Sequence, residues 1–246
     1  MMTLTAQSLL TIWERGYARP NGWQALQLLS ASQPDASLEE LAALSIGRRD
    51  GRLLSLRERL FGSWLESVVD CPQCAERLQL TMQVSDIWVD AAGDAQEDGE
   101  ITAEISGYQL RFRLPNTADL LALASGVTET DGQRQLLHHC LLEARQEGEP
   151  RTAEELPDDV VETIAVRMAA ADPLADIRID VICPVCKHES QVIFDIVSYL
   201  WQELNAWAIR TLREVHELAA AYSWRESDIL SLSPWRRQLY LQMVDG

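Results

Sequence analysis

Cys71 and Cys74 form one Cys-Pro-x-Cys turn, and Cys183 and Cys186 form another. Two thiolates set a few residues apart in a tight turn face the same point, and a tetrahedral zinc ion takes four ligands of this kind. The two turns therefore read as halves of one closed site, in which Cys71, Cys74, Cys183 and Cys186 hold a single structural Zn2+. Their flanks repeat as well. Leu65, Ser67, Val69, Gln79, Leu80 and Met82 match Ile177, Ile179, Val181, Gln191, Val192 and Phe194, each 112 positions later. Loop-closure entropy grows only slowly with loop length, so the long intervening chain is no obstacle to their meeting. A site of four cysteines leaves no coordination position for water, which argues against metal-assisted hydrolysis. A redox dithiol is expected at a strand-to-helix junction of the thioredoxin kind, and neither turn sits at one. Four buried unpaired thiols would leave the duplicated Cys-Pro-x-Cys without a reason.

The remaining reactive residues are less organised. His188 follows Cys186 by two positions and reads as a surface histidine of the turn, with a ligand or hydrogen-bonding role at the metal as the alternative. His138 and His139 adjoin Cys140, which reads as a core cysteine beside ordinary histidines. No Ser/His/Asp grouping, phosphate-cradling glycine loop or paired-carboxylate signature stands out, so neither enzymatic activity nor a small-molecule substrate is expected. Arg48, Arg49, Arg52, Arg57 and Arg59 make a basic island, either a solvated helix face or a docking patch for an acidic partner. Trp201, Trp207, Trp224 and Trp235 crowd the C-terminal helices, where they serve as core or as interface anchors.

The elements that must position these groups follow from periodicity. The first sixty residues read as short helices: Ser37 and Glu40 suggest a capping box, while Pro20-Asn21-Gly22 and the stretch from Gly47 to Gly51 suggest breaks. A helix carrying Leu56, Leu60, Phe61 and Trp64 follows. After Cys74 the period changes to two, with Leu78, Leu80, Met82 and Val84 alternating with polar residues as in a half-buried strand. The acidic run from Asp90 to Glu100 reads as a loop. Ile101, Ala103 and Ile105, then Leu110, Phe112 and Leu114, read as a β-hairpin about Gly107. Helices are expected after Asn116 or Thr117, around Leu136, Leu137, Cys140 and Leu141, and over Val160, Val161, Ile164 and Met168. Leu200, Leu204, Trp207, Thr211, Val215 and Leu218 fall on one face of a long helix. Ser223 with Glu226, and Ser233 with Pro234, announce two closing helices.

The fold class expected is α+β, mainly helical, with a small antiparallel zinc-ribbon core formed by the two Cys-Pro-x-Cys knuckles. Residues 1–64 form an N-terminal helical region. Residues 65–198 carry the ribbon with an inserted hairpin and a helical insertion over about 116–172, and residues 199–246 form a C-terminal helical region. The chain of 246 residues, 47% hydrophobic, is long enough to bury a full core. It has no long apolar run and no signal-like start, so cytoplasmic residence without membrane insertion is expected. A net charge of −17 repels a phosphate backbone, which disfavours nucleic acid as a partner.

Four phrases together resemble a known family. They are Ser45-Ile46-Gly47-Arg48-Arg49-Asp50-Gly51-Arg52-Leu53-Leu54, the two knuckles, Phe112-Arg113-Leu114-Pro115-Asn116-Thr117-Ala118-Asp119-Leu120, and Ile229-Leu230-Ser231-Leu232-Ser233-Pro234-Trp235-Arg236-Arg237-Gln238. The family is that of the T-even-type phage baseplate hub assembly chaperones, including versions encoded with contractile injection systems. The resemblance implies a non-enzymatic role in building the baseplate of a contractile tail, with hub, spike or wedge proteins as partners. It also implies that the four cysteines are metal ligands, and that the protein acts in the cytoplasm or is retained in the particle. A zinc-ribbon nucleic-acid-binding or transcription module is the competing reading, and only Arg77 and Lys187 lie close behind the knuckles to support it.

Overall fold

The structure, a computed structural model, describes residues 4–87, 100–123 and 128–245. The run of residues 90–99, expected as a loop, lies outside the described residues. Along the chain the first elements are α1 (Ala6–Gly16), α2 (Asn21–Ser32), α3 (Leu38–Ala42), α4 (Ile46–Phe61), β1 (Trp64–Asp70), β2 (Arg77–Gln83) and α5 (Val84–Ile87). There follow β3 (Glu100–Ile105), β4 (Tyr108–Arg113), α6 (Thr117–Ala122), α7 (Glu129–Cys140), β5 (Leu141–Gln146) and β6 (Glu149–Pro150). The chain continues with α8 (Asp158–Ala171), β7 (Arg178–Ile182), β8 (Glu189–Ile193), α9 (Ile196–Tyr222), α10 (Glu226–Ser231) and α11 (Pro234–Asp245). The class is α+β, and the strand pairs among the described residues are antiparallel. Two compact units are formed, residues 1–37 with 197–246, and residues 38–196.

The first unit is helical. Leu204, Thr211, Val215 and Leu218 are buried along α9, the 3.6-residue stripe expected of it. Leu10, Ile229, Leu230 and Leu241 close the core, ringed by Trp13, Trp207, Tyr222, Trp224 and Tyr240. Trp13 Nε1 donates to Asn205 Oδ1 at 2.9 Å, so a partly buried indole finds its acceptor. A Cβ on Gly16 would come within 2.2 Å of the Trp201 ring, and only glycine lets α1 pass there. Of the four C-terminal tryptophans, Trp207 and Trp224 pack on the core and Trp201 on Gly16, whereas Trp235 is 70% exposed. Ser233 caps α11, accepting from the Arg236 N–H at 3.3 Å. The expected Ser223–Glu226 box does not form. Ser223 sits at φ 58° and its N–H returns to Ala219 O, so it ends α9 instead of starting α10.

Among the described residues, the second unit holds three sheets. β3, β4, β5 and β6 make a four-stranded sheet, and β1–β2 and β7–β8 are separate hairpins. Ser106 and Gly107, at φ 51° and 81°, form a two-residue turn in the expected hairpin, and Glu147 and Gly148 repeat it between β5 and β6. Ala103, Ile105, Leu110, Phe112 and Ala144 line one face of the sheet and pack on Leu137 of α7 and on Val160 and Ile164 of α8. The segment over 116–172 is therefore not purely helical. Leu141 leaves α7 and begins β5, because the sheet offers its backbone a ladder that a further helical turn would forgo. Trp64 likewise belongs to β1, since α4 ends at Gly62, φ 89°, whose N–H bonds Glu58 O.

The Gly47 to Gly51 stretch is interior helix, not a break. The Gly47 N–H donates to Asp172 Oδ2 at 2.8 Å, and a Cβ there would lie 2.2 Å from Asp172 Oδ1. Glycine is needed for a close approach, not for a turn. Beside it Arg49 Nε holds Asp50 Oδ1 at 2.7 Å, both side chains being buried. Burial pushes the Asp50 carboxyl up to about 6, against the pull of Arg49. A carboxyl that holds its proton more tightly folded than unfolded stabilises most at low pH, and that contribution falls as pH rises from about 4 to 6. Between pH 5 and 7 roughly one unit of the gap is crossed, on the order of 1 kcal/mol. Urea unfolding should therefore show the stability of wild type relative to Asp50→Asn falling by about this amount between the two pH values.

Candidate metal centre

Each knuckle joins the strands of its hairpin in the same way. In β1–β2, Ser67 pairs with Leu80 and Val69 with Leu78; in β7–β8, Ile179 pairs with Val192 and Val181 with Ser190. The registers are identical at the 112-residue offset. The turns match too. Cys71 N–H donates to Glu76 O and Ala75 N–H to Cys71 O, while Cys183 N–H donates to His188 O and Lys187 N–H to Cys183 O. Ala75 and Lys187, at φ 57° and 62°, occupy the same left-handed position. Such a bend folds the chain back so that both cysteines of a pair point the same way.

The two knuckles meet. Cys71 Sγ lies 3.6 Å from Cys186 Sγ, and Cys74 Sγ lies 3.6 Å from Cys183 Sγ, although the latter pair are 109 positions apart. All four sulfurs fall within 4.8 Å of one another. A disulfide requires about 2.05 Å, so these are not bonded sulfurs. A tetrahedron with metal–sulfur bonds of about 2.3 Å has edges of roughly 3.8 Å, and the observed cluster fits that cage. Cys71 and Cys183 are buried with Leu78 and Val181, flanked by Val69, Leu80, Ile179 and Val192, whereas Cys74 and Cys186 face solvent.

The amides around the sulfurs favour negative charge. The Cys186 and Val185 amides donate to the Cys183 sulfur and draw its thiol down to about 7. The Glu76 amide acts likewise on Cys74, but its contacts with Cys186, Cys183 and Cys71 outweigh this and push it up to about 12. Four adjacent thiols cannot all ionise on their own. A divalent cation removes that conflict, and the four cysteines can hold one. His188 contributes its backbone carbonyl to the knuckle and lies outside the four-sulfur group.

The other candidate residues are structural. Cys140 is buried, which pushes its thiol up to about 12, and it belongs to no metal-binding group among the described residues. Within the basic island, Arg49 and Arg57 are buried. Arg57 donates to Gly62 O at 2.6 Å and so helps close α4, and only Arg48, Arg52 and Arg59 face outward. Two of the five arginines are thus structural, and the exposed three fall on one face of α4. Residue-type reasoning missed the ion pair inside the phrase from Phe112 to Leu120. Arg113 grips Asp119 through two bonds of 2.6 and 2.7 Å, and also donates to Leu114 O and His139 O. Asp119 and Asn116 cap α6 reciprocally. Proximity in sequence, Arg113 just before Pro115 and Asp119 three after Asn116, was the available signal. Burial opposes ionisation of Asp119, but the bonds from Arg113 and Asn116 hold its carboxyl below the ordinary range.

A helical unit, a larger α+β unit and, within the latter, four clustered cysteines that could hold a metal ion on duplicated hairpins make up the described fold and its candidate site. The match is specific: the family model of T4 bacteriophage base plate proteins aligns with residues 26–201, more than two thirds of the chain, and the chain belongs to that family. It is a phage baseplate protein. No curated protein and no solved structure matches it. Among the described residues no helix is long and apolar enough to cross a membrane.

Proposed function

We propose that this chain is a non-enzymatic assembly chaperone or component of the baseplate of a contractile tail or tail-like injection system. A structural zinc ion on Cys71, Cys74, Cys183 and Cys186 makes a zinc ribbon of the two knuckles. The family match over residues 26–201 carries the reading. The four-sulfur cluster supports its metal part, since a closed cage of four cysteines supplies cross-linking and no open coordination position. When bound, the ion neutralises the thiolates and ties the two hairpins together. Hub, spike or wedge proteins are the partners in this reading, and the site of action is the bacterial cytoplasm or the finished particle. The net charge of −17 weighs against the nucleic-acid alternative.

Deletion of the gene from an otherwise intact tail operon tests the role. The expected result is loss of assembled, contractile particles, by at least ten-fold in particle counts, with restoration by the wild-type gene. Normal particles from a clean deletion would contradict it.

A further inference from the structure

The last turn of α1, the turn that follows and the first half of α2 border an open cleft of about 350 Å³ lined by Arg15, Arg19, Trp23 and Gln27. Arg111, Arg134, Arg145, Arg151 and Arg178 each meet a carboxylate, as expected in a chain with 38 acidic and 21 basic side chains. Arg15 and Arg19, like several other exposed arginines such as Arg167 and Arg213, have no carboxylate within salt-bridge distance among the described residues; what sets them apart is that they share one cleft with Trp23 and that no carboxylate lines it. Arg15 complements the C-terminal end of the α1 dipole, but that end supplies no counter-charge to Arg19.

The site is also held in shape. Ala18 takes a left-handed conformation at φ 57°, and the Arg19 N–H returns to Gly16 O, which turns the chain sharply between the two arginines. Trp23 presents 44% of its surface, and Tyr17, 65% exposed, stands edge-on against the anchored Trp13. Two guanidiniums beside an exposed indole match a carboxylate with an apolar group beside it.

We propose that this cleft is a docking site for an acidic peptide segment of a partner protein. Arg15 and Arg19 take a carboxylate, and Trp23 receives an adjoining apolar side chain. The proposal names the partner chemistry of the assembly role above and rests on it. Charge complementarity selects the occupant: a solvated pair of arginines needs no aromatic floor, and the acidic remainder of the chain turns away nucleic acid.

The probes are a fluorescein-labelled peptide of alternating glutamate and phenylalanine, its glutamine counterpart and a labelled single-stranded oligonucleotide, read by anisotropy on the full-length chain. The acidic peptide is expected to bind at least ten-fold more tightly than either control. Arg15→Glu with Arg19→Glu should weaken it at least ten-fold and Trp23→Ala at least three-fold. Unchanged circular dichroism melting shows that these variants fold. Equal binding of the glutamine peptide, tighter binding of the oligonucleotide, or indifference to the charge reversal would overturn the site. Co-purification of wild type and the doubly reversed chain from cells expressing the tail operon separates the two readings. If both capture a baseplate protein equally, the docking site fails and the assembly role stands. If the acidic peptide binds as expected but no baseplate protein is captured by wild type, the assembly role fails while the site remains.

Discussion

Replacing Cys183 with serine should abolish metal binding and lower the thermal midpoint by about 10–20 °C. The size of the effect follows from how little else joins the two hairpins. Their shared core is Cys71, Leu78, Val181 and Cys183, with four partly buried neighbours. A lone two-stranded hairpin is marginal in water, and there are two of them here. Structural zinc in small sites supplies roughly 10–16 kcal/mol of apparent folding free energy. The variant can release the two hairpins locally while the other sheet and the helices keep their own cores, which limits the loss to about 5 kcal/mol, or about 10–20 °C for a chain of this size. Metal analysis and calorimetry check both halves. Cys140→Ala serves as the control, because Cys140 lies outside the sulfur cluster: it should leave the metal content at wild-type level. A chelator strong enough to strip zinc should reproduce the Cys183→Ser melting curve and leave that variant's own curve unmoved.

Asp119→Ala should cost about 2–3 kcal/mol without changing the metal content. The substitution removes the two short charge-assisted bonds that Arg113 makes to Asp119, leaving the partly exposed guanidinium only its bonds to Leu114 O and His139 O. It also opens the N-terminus of α6, since Asp119 accepts from the Asn116 N–H at 2.9 Å. Asp119→Asn keeps an acceptor for the cap and loses only the charge, so it should fall between alanine and wild type. Chemical denaturation of the three proteins, with zinc measured in parallel, separates this effect from that of the metal site.

The cysteine cluster was legible because its signal is local and doubled. A Cys-Pro-x-Cys turn is defined by a handful of adjacent residues, and the strand alternation on either side fixes which way the sulfurs point. The β3–β4 hairpin was legible for the same reason, with Gly107 between two alternating runs. What escaped was decided by contacts distant in sequence. Gly47 resembles a breaker until Asp172, 125 residues away, is seen to occupy the space of its missing side chain. β5 continues an apolar pattern that reads as helix from Leu136 to Leu141, and only pairing with β4 turns it into a strand. Arg49 and Arg57 look like surface charge because burial is invisible in composition. Among the described residues, no buried side-chain polar atom lacks a partner, which shows how far such partners settle the outcome.

X-ray absorption at the zinc edge of the full-length protein, purified without added metal, probes the bridge between the knuckles directly. One zinc per chain with a first shell of four sulfurs at about 2.3 Å is the predicted spectrum. A chain without metal, a shell containing nitrogen or oxygen in place of sulfur, or cysteines paired as disulfides would contradict it.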